Sequence, residues 1–168
     1  MSRFGWKHLA VVCSAVAILS VPLLASSQRP PLALSYKSAT TVIPGPADAG
    51  DTCSSGFIPI DTTGSGIDSF GSFELKEDVC VDPTNAVFKG TFKISHEEGN
   101  AFSGVFNGQF IPSGQILEVH ATWRVTNGNG PFLGASGAGE GHGVASVVNG
   151  APGPGMIFLD GSLILPNY

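Results

Sequence analysis

The chain has 168 residues, of which only 12% are charged and 23 are glycine, and its formal net charge is −5. This length suffices for one domain with a hydrophobic core, and the many apolar residues exclude a chain that is disordered throughout. No basic cluster follows residue 27, so neither nucleic acid nor an anionic membrane surface is an expected partner.

The first 27 residues are predicted to form a signal peptide. Arg3 and Lys7 give a positive start, an uncharged apolar run spans 9–25, and small residues around Ser27 suit cleavage after that position. The alternative is an uncleaved anchor, because seventeen apolar residues lie at the lower limit for a membrane span. We expect a secreted or periplasmic protein that does not insert stably into a membrane once this segment is removed.

A disulfide and an irregular lead-in are predicted next. Cys53 and Cys80 are the two cysteines after residue 27, and such a pair in an exported protein more often forms a disulfide than a metal site. Closing that loop would stabilise the fold by about 3 kcal/mol. Residues 28–52 contain four prolines and little periodicity, which predicts a Pro-rich lead-in to a barrel domain over 53–168.

Turn signals separate the later part of the chain into short predicted strands, at 70–75, 87–95, 102–111, 116–126, 134–148 and 156–165. Residues 97–100 and 112–114 are typical of turns, and 149–155 of a loop. No sustained period of 3.6 residues follows residue 28, so helices should be short or absent. Six or seven antiparallel strands predict an all-β fold, either an up-and-down barrel or a sandwich.

The pattern of aromatic residues and glycines favours a small closed antiparallel β-barrel. Phe and Gly alternate on one face of the strand over 102–110, as large and small side chains do inside barrels. Gly139, Gly141 and Gly143 leave one face of a later strand without side chains. We expect this face to receive the rings of Phe102, Phe106 and Phe110.

The stretch Trp123 to Gly139 is similar to the Val-Thr-Gly-Gly-Thr-Gly-Arg-Phe-x-Gly-Ala-Thr-Gly pattern of allene oxide cyclase/dirigent-like proteins. Asn127, Asn129 and Pro131 stand where the commoner pattern has Gly, Thr and Arg. The run 102–110 resembles the preceding strand of uncharacterised bacterial members. The resemblance covers 56–165 and implies a calycin-like closed barrel of about eight strands with a central cavity. It also implies dimers or trimers.

Plant members of that superfamily cyclise an unstable fatty-acid epoxide or guide phenoxy-radical coupling, and some bacterial relatives close polyketide rings. The resemblance therefore implies two functions. One is an exported barrel that binds a small apolar ligand or is structural. The other is a cofactor-independent isomerase or cyclase that acts by confining its substrate. No catalytic motif of either branch aligns with this chain, and no cofactor is expected.

The interior of the barrel should discriminate between these functions. A cavity of a few hundred Å³ with at least two polar groups would favour a ligand or an enzyme. An interior filled by aromatic side chains would leave a structural role; the candidates are Phe88, Phe92, Phe102, Phe106, Phe110 and Trp123.

Two polar strand faces supply candidate site residues. Glu118, His120 and Arg124 share one face of the strand over 116–126, with Trp123 opposite. If their face lines a wet cavity, Arg124 and His120 could bind an anion or polarise a carbonyl, and Trp123 could contact the ligand. The alternative, favoured by the apolar side chains opposite, is that this polar face is solvated.

The second candidate is Glu140 with His142, about 7 Å apart by the strand repeat. They could act as an acid/base pair on a bound substrate. The favoured alternative is that the glycine face turns inward and both side chains face water. The cluster His96, Glu97 and Glu98 lies on a predicted turn, where adjacent residues rarely converge on one ion, so no metal site is predicted.

Overall fold

The computed structural model describes residues 30–48 and 53–166, so the predicted signal peptide lies outside the described residues. Eight antiparallel strands form a closed barrel in which each strand pairs with the next and the last pairs with the first. They are β1 (Leu32–Pro46), β2 (Ile58–Asp68), β3 (Gly71–Asp82), β4 (Val87–His96), β5 (Ala101–Ser113), β6 (Ile116–Gly128), β7 (Ser136–Val148) and β8 (Ala151–Leu165). The predicted all-β closed barrel is confirmed.

The prediction of an irregular lead-in is wrong for Leu32–Pro46, which is strand β1 and closes the barrel between β2 and β8. Its inward side chains include Ser38 and Thr40, so the apolar alternation that marks a buried strand is interrupted. The predicted loop over 149–155 is also partly wrong. Strand β8 begins at Ala151 and includes Pro152 and Pro154, next to the mouth of the barrel.

Cross-strand pairs of one aromatic ring and one glycine fill much of the interior. In each pair the ring lies over the glycine directly opposite in the register. The pairs are Phe73 with Gly66, Phe106 with Gly90, Phe92 with Gly104, Phe88 with Gly108 and Trp123 with Gly139. Such pairs fix the register of neighbouring strands, because a slip by one residue would turn the ring outward.

The glycine face of β7 turns inward, as the alternation predicted, but a different ring packs against it. Trp123 of β6 covers both Gly139 and Gly161, whereas the rings of Phe106 and Phe102 lie toward β4. The reason is register, since Trp123 is the direct partner of Gly139. The expected packing of Phe102, Phe106 and Phe110 on this face is therefore wrong.

The two ends of the barrel differ. At one end, Phe132 in the short 3-10 turn Gly130–Phe132 is buried and packs against Phe70 and Phe102 at ring-centroid distances of 5.0 and 5.1 Å. Leu163 and Leu165 complete this closed end. The opposite end, where β3 leads to β4 and β5 to β6, has no comparable aromatic plug among the described residues and forms the mouth.

The predicted disulfide is confirmed, with Cα atoms of Cys53 and Cys80 5.7 Å apart. It ties the segment that enters β2 to the outer face of β3, and it fits an oxidising environment. Beside it, the Lys89 ammonium lies 4.6 Å from the centre of the Phe57 ring, which covers the outer surface here. None of the helices in the described ranges has the length and apolar character needed to cross a membrane.

Replacing Gly104 by Ala should destabilise the barrel by about 1–3 kcal/mol, the cost of overpacking a core. The new Cβ would lie 2.6 Å from Cε1 of Phe92 and would also meet the Arg124 carbonyl oxygen. Urea denaturation measures the change in the free energy of unfolding. The control is Gly45→Ala on the exposed outer face, where the nearest atom is 3.8 Å away and the change should stay within about 0.5 kcal/mol. Equal effects at the two positions would contradict the role of the aromatic–glycine pairs.

Candidate functional site

A cavity of about 90 Å³ opens at the mouth of the barrel. Its walls are mainly apolar and come from all eight strands; Val79, Phe88, Phe106, Phe110, Trp123 and Ile157 are representative. Two polar side chains, Glu77 and Thr62, also line it. Apolar walls with a few convergent polar groups are typical of small-molecule sites.

Glu77 faces inward because it occupies an interior position of β3, between Leu75 and Val79. In the register it lies directly between Thr62 on β2 and Phe92 on β4. The sequence contained a signal for this site: odd-numbered residues from 73 to 81 are apolar except at position 77. The predicted strand over 70–75 ends at Leu75 and therefore does not include this position.

Among the described residues that line the cavity, Glu77 carries the only acidic group. Burial away from water raises its pKa from 4.5 to about 7, since the charged form loses hydration. Within the described part of the chain it makes no hydrogen bond or ion pair. At neutral pH the group therefore exchanges readily between a carboxylic acid and a carboxylate.

The volume of the cavity limits what can enter it. An apolar cavity of about 150 Å³ accommodates benzene, so about 90 Å³ accommodates only one end of a larger molecule unless side chains move. The interior thus lies between the two predicted extremes. Aromatic rings fill its closed half, and an apolar cavity with two polar groups occupies its open half.

The first set of predicted site residues is divided between the two sides of the sheet. Trp123 is buried and lines the cavity, with its indole nitrogen donating to the Glu140 carbonyl oxygen at 3.1 Å. The side chains of Glu118, His120 and Arg124 lie on the outer face of β6. The favoured alternative, in which these three side chains face outward, is the one observed, because Leu117, Val119 and Ala121 occupy the inward positions.

The second set, Glu140 and His142, also faces outward. His142 lies opposite His120 in the register and stacks on Phe158, with ring centroids 5.7 Å apart. A shallow polar depression on the outer surface is bordered by His120, Thr122, Glu140 and His142. Glu118 Oε2 lies 3.8 Å from His120 Nε2. No group of three or more His, Cys, Asp or Glu side chains in the described ranges is arranged to hold a metal ion.

A second buried polar group lies at the closed end. Asp68 accepts hydrogen bonds from His96 Nε2 at 2.9 Å, from the Tyr36 hydroxyl at 3.0 Å and from the Phe70 backbone N–H at 2.7 Å. The sequence predicts a turn at His96, but His96 is the last residue of β4 and its side chain points inward. Burial, reinforced by the Asp68 charge, raises the pKa of Tyr36 above its ordinary range, so the phenol stays protonated.

This Tyr36–Asp68–His96 network links β1, β2 and β4. Its three side chains do not line the mouth cavity. The His96 ring stacks on Phe132 and Phe102, with centroids 5.4 and 6.1 Å away. All three donors to Asp68 come from the protein itself, while His96 Nδ1 has no hydrogen-bond partner among the described residues. The arrangement of the network is that of a structural clamp beneath the plug.

Comparison with known proteins adds no assignment, since no family model, curated protein or solved structure matches the chain.

Replacing Glu77 by Gln should remove a pH dependence of stability. The unfolded carboxyl ionises near 4.5 and the folded one near 7, so between these pH values the unfolded state has lost the proton that the folded state retains. The free energy of unfolding of the natural chain should therefore fall by about 3 kcal/mol as pH rises through this window. Denaturation at a series of pH values measures it. Glu74→Gln, an exposed carboxyl on the outer face of β3, is the control and should leave the fall intact.

Proposed function

We propose that this chain is an exported barrel that binds a small apolar ligand at its mouth. The observation that carries the proposal is the apolar cavity with Glu77 and Thr62 in its wall. A carboxyl group without a partner in apolar surroundings costs stability, and such costs are typical of binding and catalytic sites. The allene oxide cyclase/dirigent-like resemblance is part of this proposal, as is export by the N-terminal signal peptide; the disulfide supports the latter.

Filling the cavity should weaken the binding of a small apolar probe. Ala121 lines the cavity, so Ala121→Leu places a larger side chain in the space, and affinity for toluene should fall at least about tenfold. Thr122→Leu is the matched control, because it adds a similar side chain to the next residue on the outer face. Ligand-observed NMR measures binding, and a thermal melt of each variant checks folding. Equal toluene binding by the two folded variants, or none by the natural chain, would refute the proposed site.

The pKa of Glu77 favours a second candidate function, proton transfer to or from a confined substrate. In a cofactor-independent isomerase, the Glu77 carboxylate would remove a proton from the carbon next to a substrate carbonyl. The carboxylic acid so formed would return a proton to the substrate, while the Thr62 hydroxyl donates to the carbonyl oxygen. The position of both side chains in the cavity wall, as direct cross-strand partners, supports these roles.

This activity predicts hydrogen exchange at the ligand. In D₂O, 2-hexanone should exchange the hydrogens next to its carbonyl faster with the natural chain than with Glu77→Gln, as followed by NMR. The amide of Gln cannot act as the base, whereas Glu74→Gln keeps the cavity unchanged and should retain the exchange. Equal rates for the natural chain and Glu77→Gln would exclude Glu77 as the base.

A further inference from the structure

The cavity that carries the proposed function is lined by an acidic side chain and by no basic one among the described residues. No Lys, Arg or His is among the described residues that line it, and its acidic group is Glu77. The lysines of the neighbouring strands lie on the outer face, where Lys89 contacts Ser54 and Phe57. An anionic headgroup inside the cavity would find no counter-charge and would meet a carboxyl group. Hydrogen bonds from Glu77 and Thr62 would be its only compensation for lost hydration, because the described wall offers no counter-charge.

Glu77 and Thr62 are suited to a hydrogen-bond acceptor. They are direct cross-strand partners whose side chains point into the same space, and directly opposed Cβ atoms lie about 5 Å apart. A protonated carboxyl and a hydroxyl can both donate to a single oxygen atom. Burial raises the pKa of Glu77 to about 7, so the donating form is available below that pH.

The depth of the pair fixes the orientation of a ligand. Glu77 lies five residues before the end of β3 at Asp82, which is roughly 16 Å along the strand from the mouth. Between this position and the mouth the wall is apolar, with Val79, Val81 and Phe88 on the near strands. A ligand that reaches Glu77 must therefore carry its polar atom at the end that enters first and leave its apolar part toward the mouth.

We propose that the cavity selects an uncharged apolar molecule with a carbonyl group at or near one end, held by Glu77 and Thr62, and rejects the corresponding carboxylate. This inference rests on the proposed ligand-binding function and specifies its ligand class. A ketone oxygen accepts both hydrogen bonds and brings no charge into the cavity. A fatty-acid carboxylate of the same length brings a charge that no lining residue neutralises.

Three probes of equal chain length distinguish the ligand classes: 2-hexanone, hexanoate and hexylammonium. Each is titrated by ligand-observed NMR into the full chain at a pH below 7. We expect 2-hexanone to bind roughly tenfold or more tightly than hexanoate. Glu77→Leu, which removes the donor, should lower the ketone affinity by several fold, and Glu77→Gln, which keeps a donor without an acidic group, should retain it. The outer-face control Glu74→Gln should leave the order of affinities unchanged.

The outcomes separate the two proposals. If toluene binds but hexanoate binds as tightly as 2-hexanone, or hexylammonium binds more tightly, the selection for a neutral carbonyl is wrong and the ligand site remains. If 2-hexanone binds equally to the natural chain and to a folded Glu77→Leu variant, the role of Glu77 is wrong. If neither toluene nor any of the three probes binds, the proposed function itself fails, and this inference with it.

Discussion

The closed barrel depends on cross-strand packing of aromatic rings over glycines. An eight-stranded barrel has room for side chains but little more, so most of its large rings lie opposite a glycine of the neighbouring strand. Between β4 and β5 this is solved by alternation, with Phe88 over Gly108, Phe106 over Gly90 and Phe92 over Gly104. Each ring occupies the space that the opposite residue leaves empty, and the register, the closure and the density of the core follow from the same pairs.

The position of the cavity is a consequence of how these rings are distributed. Toward the closed end, Phe132 from the 3-10 turn joins Tyr36, Phe102 and Trp123, and the interior is filled. Toward the mouth, smaller residues such as Ala121 and Ala145 face the rings of Phe88 and Phe110, and space remains. The cavity is therefore shaped by residue size along the barrel axis, and among the described residues the space for the proposed ligand lies in the open half.

The sequence predicted the strands with regular apolar alternation and missed the features that interrupt it. β4 to β6 were assigned to the correct faces, because Phe92, Phe106 and Trp123 follow the period of two. β1 was missed because Ser38 and Thr40 are buried there. The partnership of Asp68 with His96 could not be predicted, since the two residues are 28 positions apart and meet only when β2 and β4 close around the same end.

The predicted site residues differ from the residues of the cavity because regular alternation marks the outer surface of the barrel. Polar residues in regular alternation with apolar ones, such as Glu118 and His120, face outward in a barrel, so that regular pattern indicates the solvated surface. A polar residue that breaks the alternation, as Glu77 does, must lie inside. The interruption of the pattern, and not the polar face, was the informative signal.

Among the described residues, the interior carboxyl groups of Asp68 and Glu77 differ in how the fold compensates their burial. Asp68 receives three hydrogen bonds from the protein, so its burial is compensated by the fold itself. Glu77 receives none within the described residues, and burial shifts its equilibrium toward the neutral acid. A Leu or Val at position 77 would continue the apolar alternation and would remove this cost. The Glu77 acid lowers the stability of the folded barrel, but it gives the cavity a group that can donate a hydrogen bond. For this reason we propose a functional role for the mouth and a structural role for the closed end.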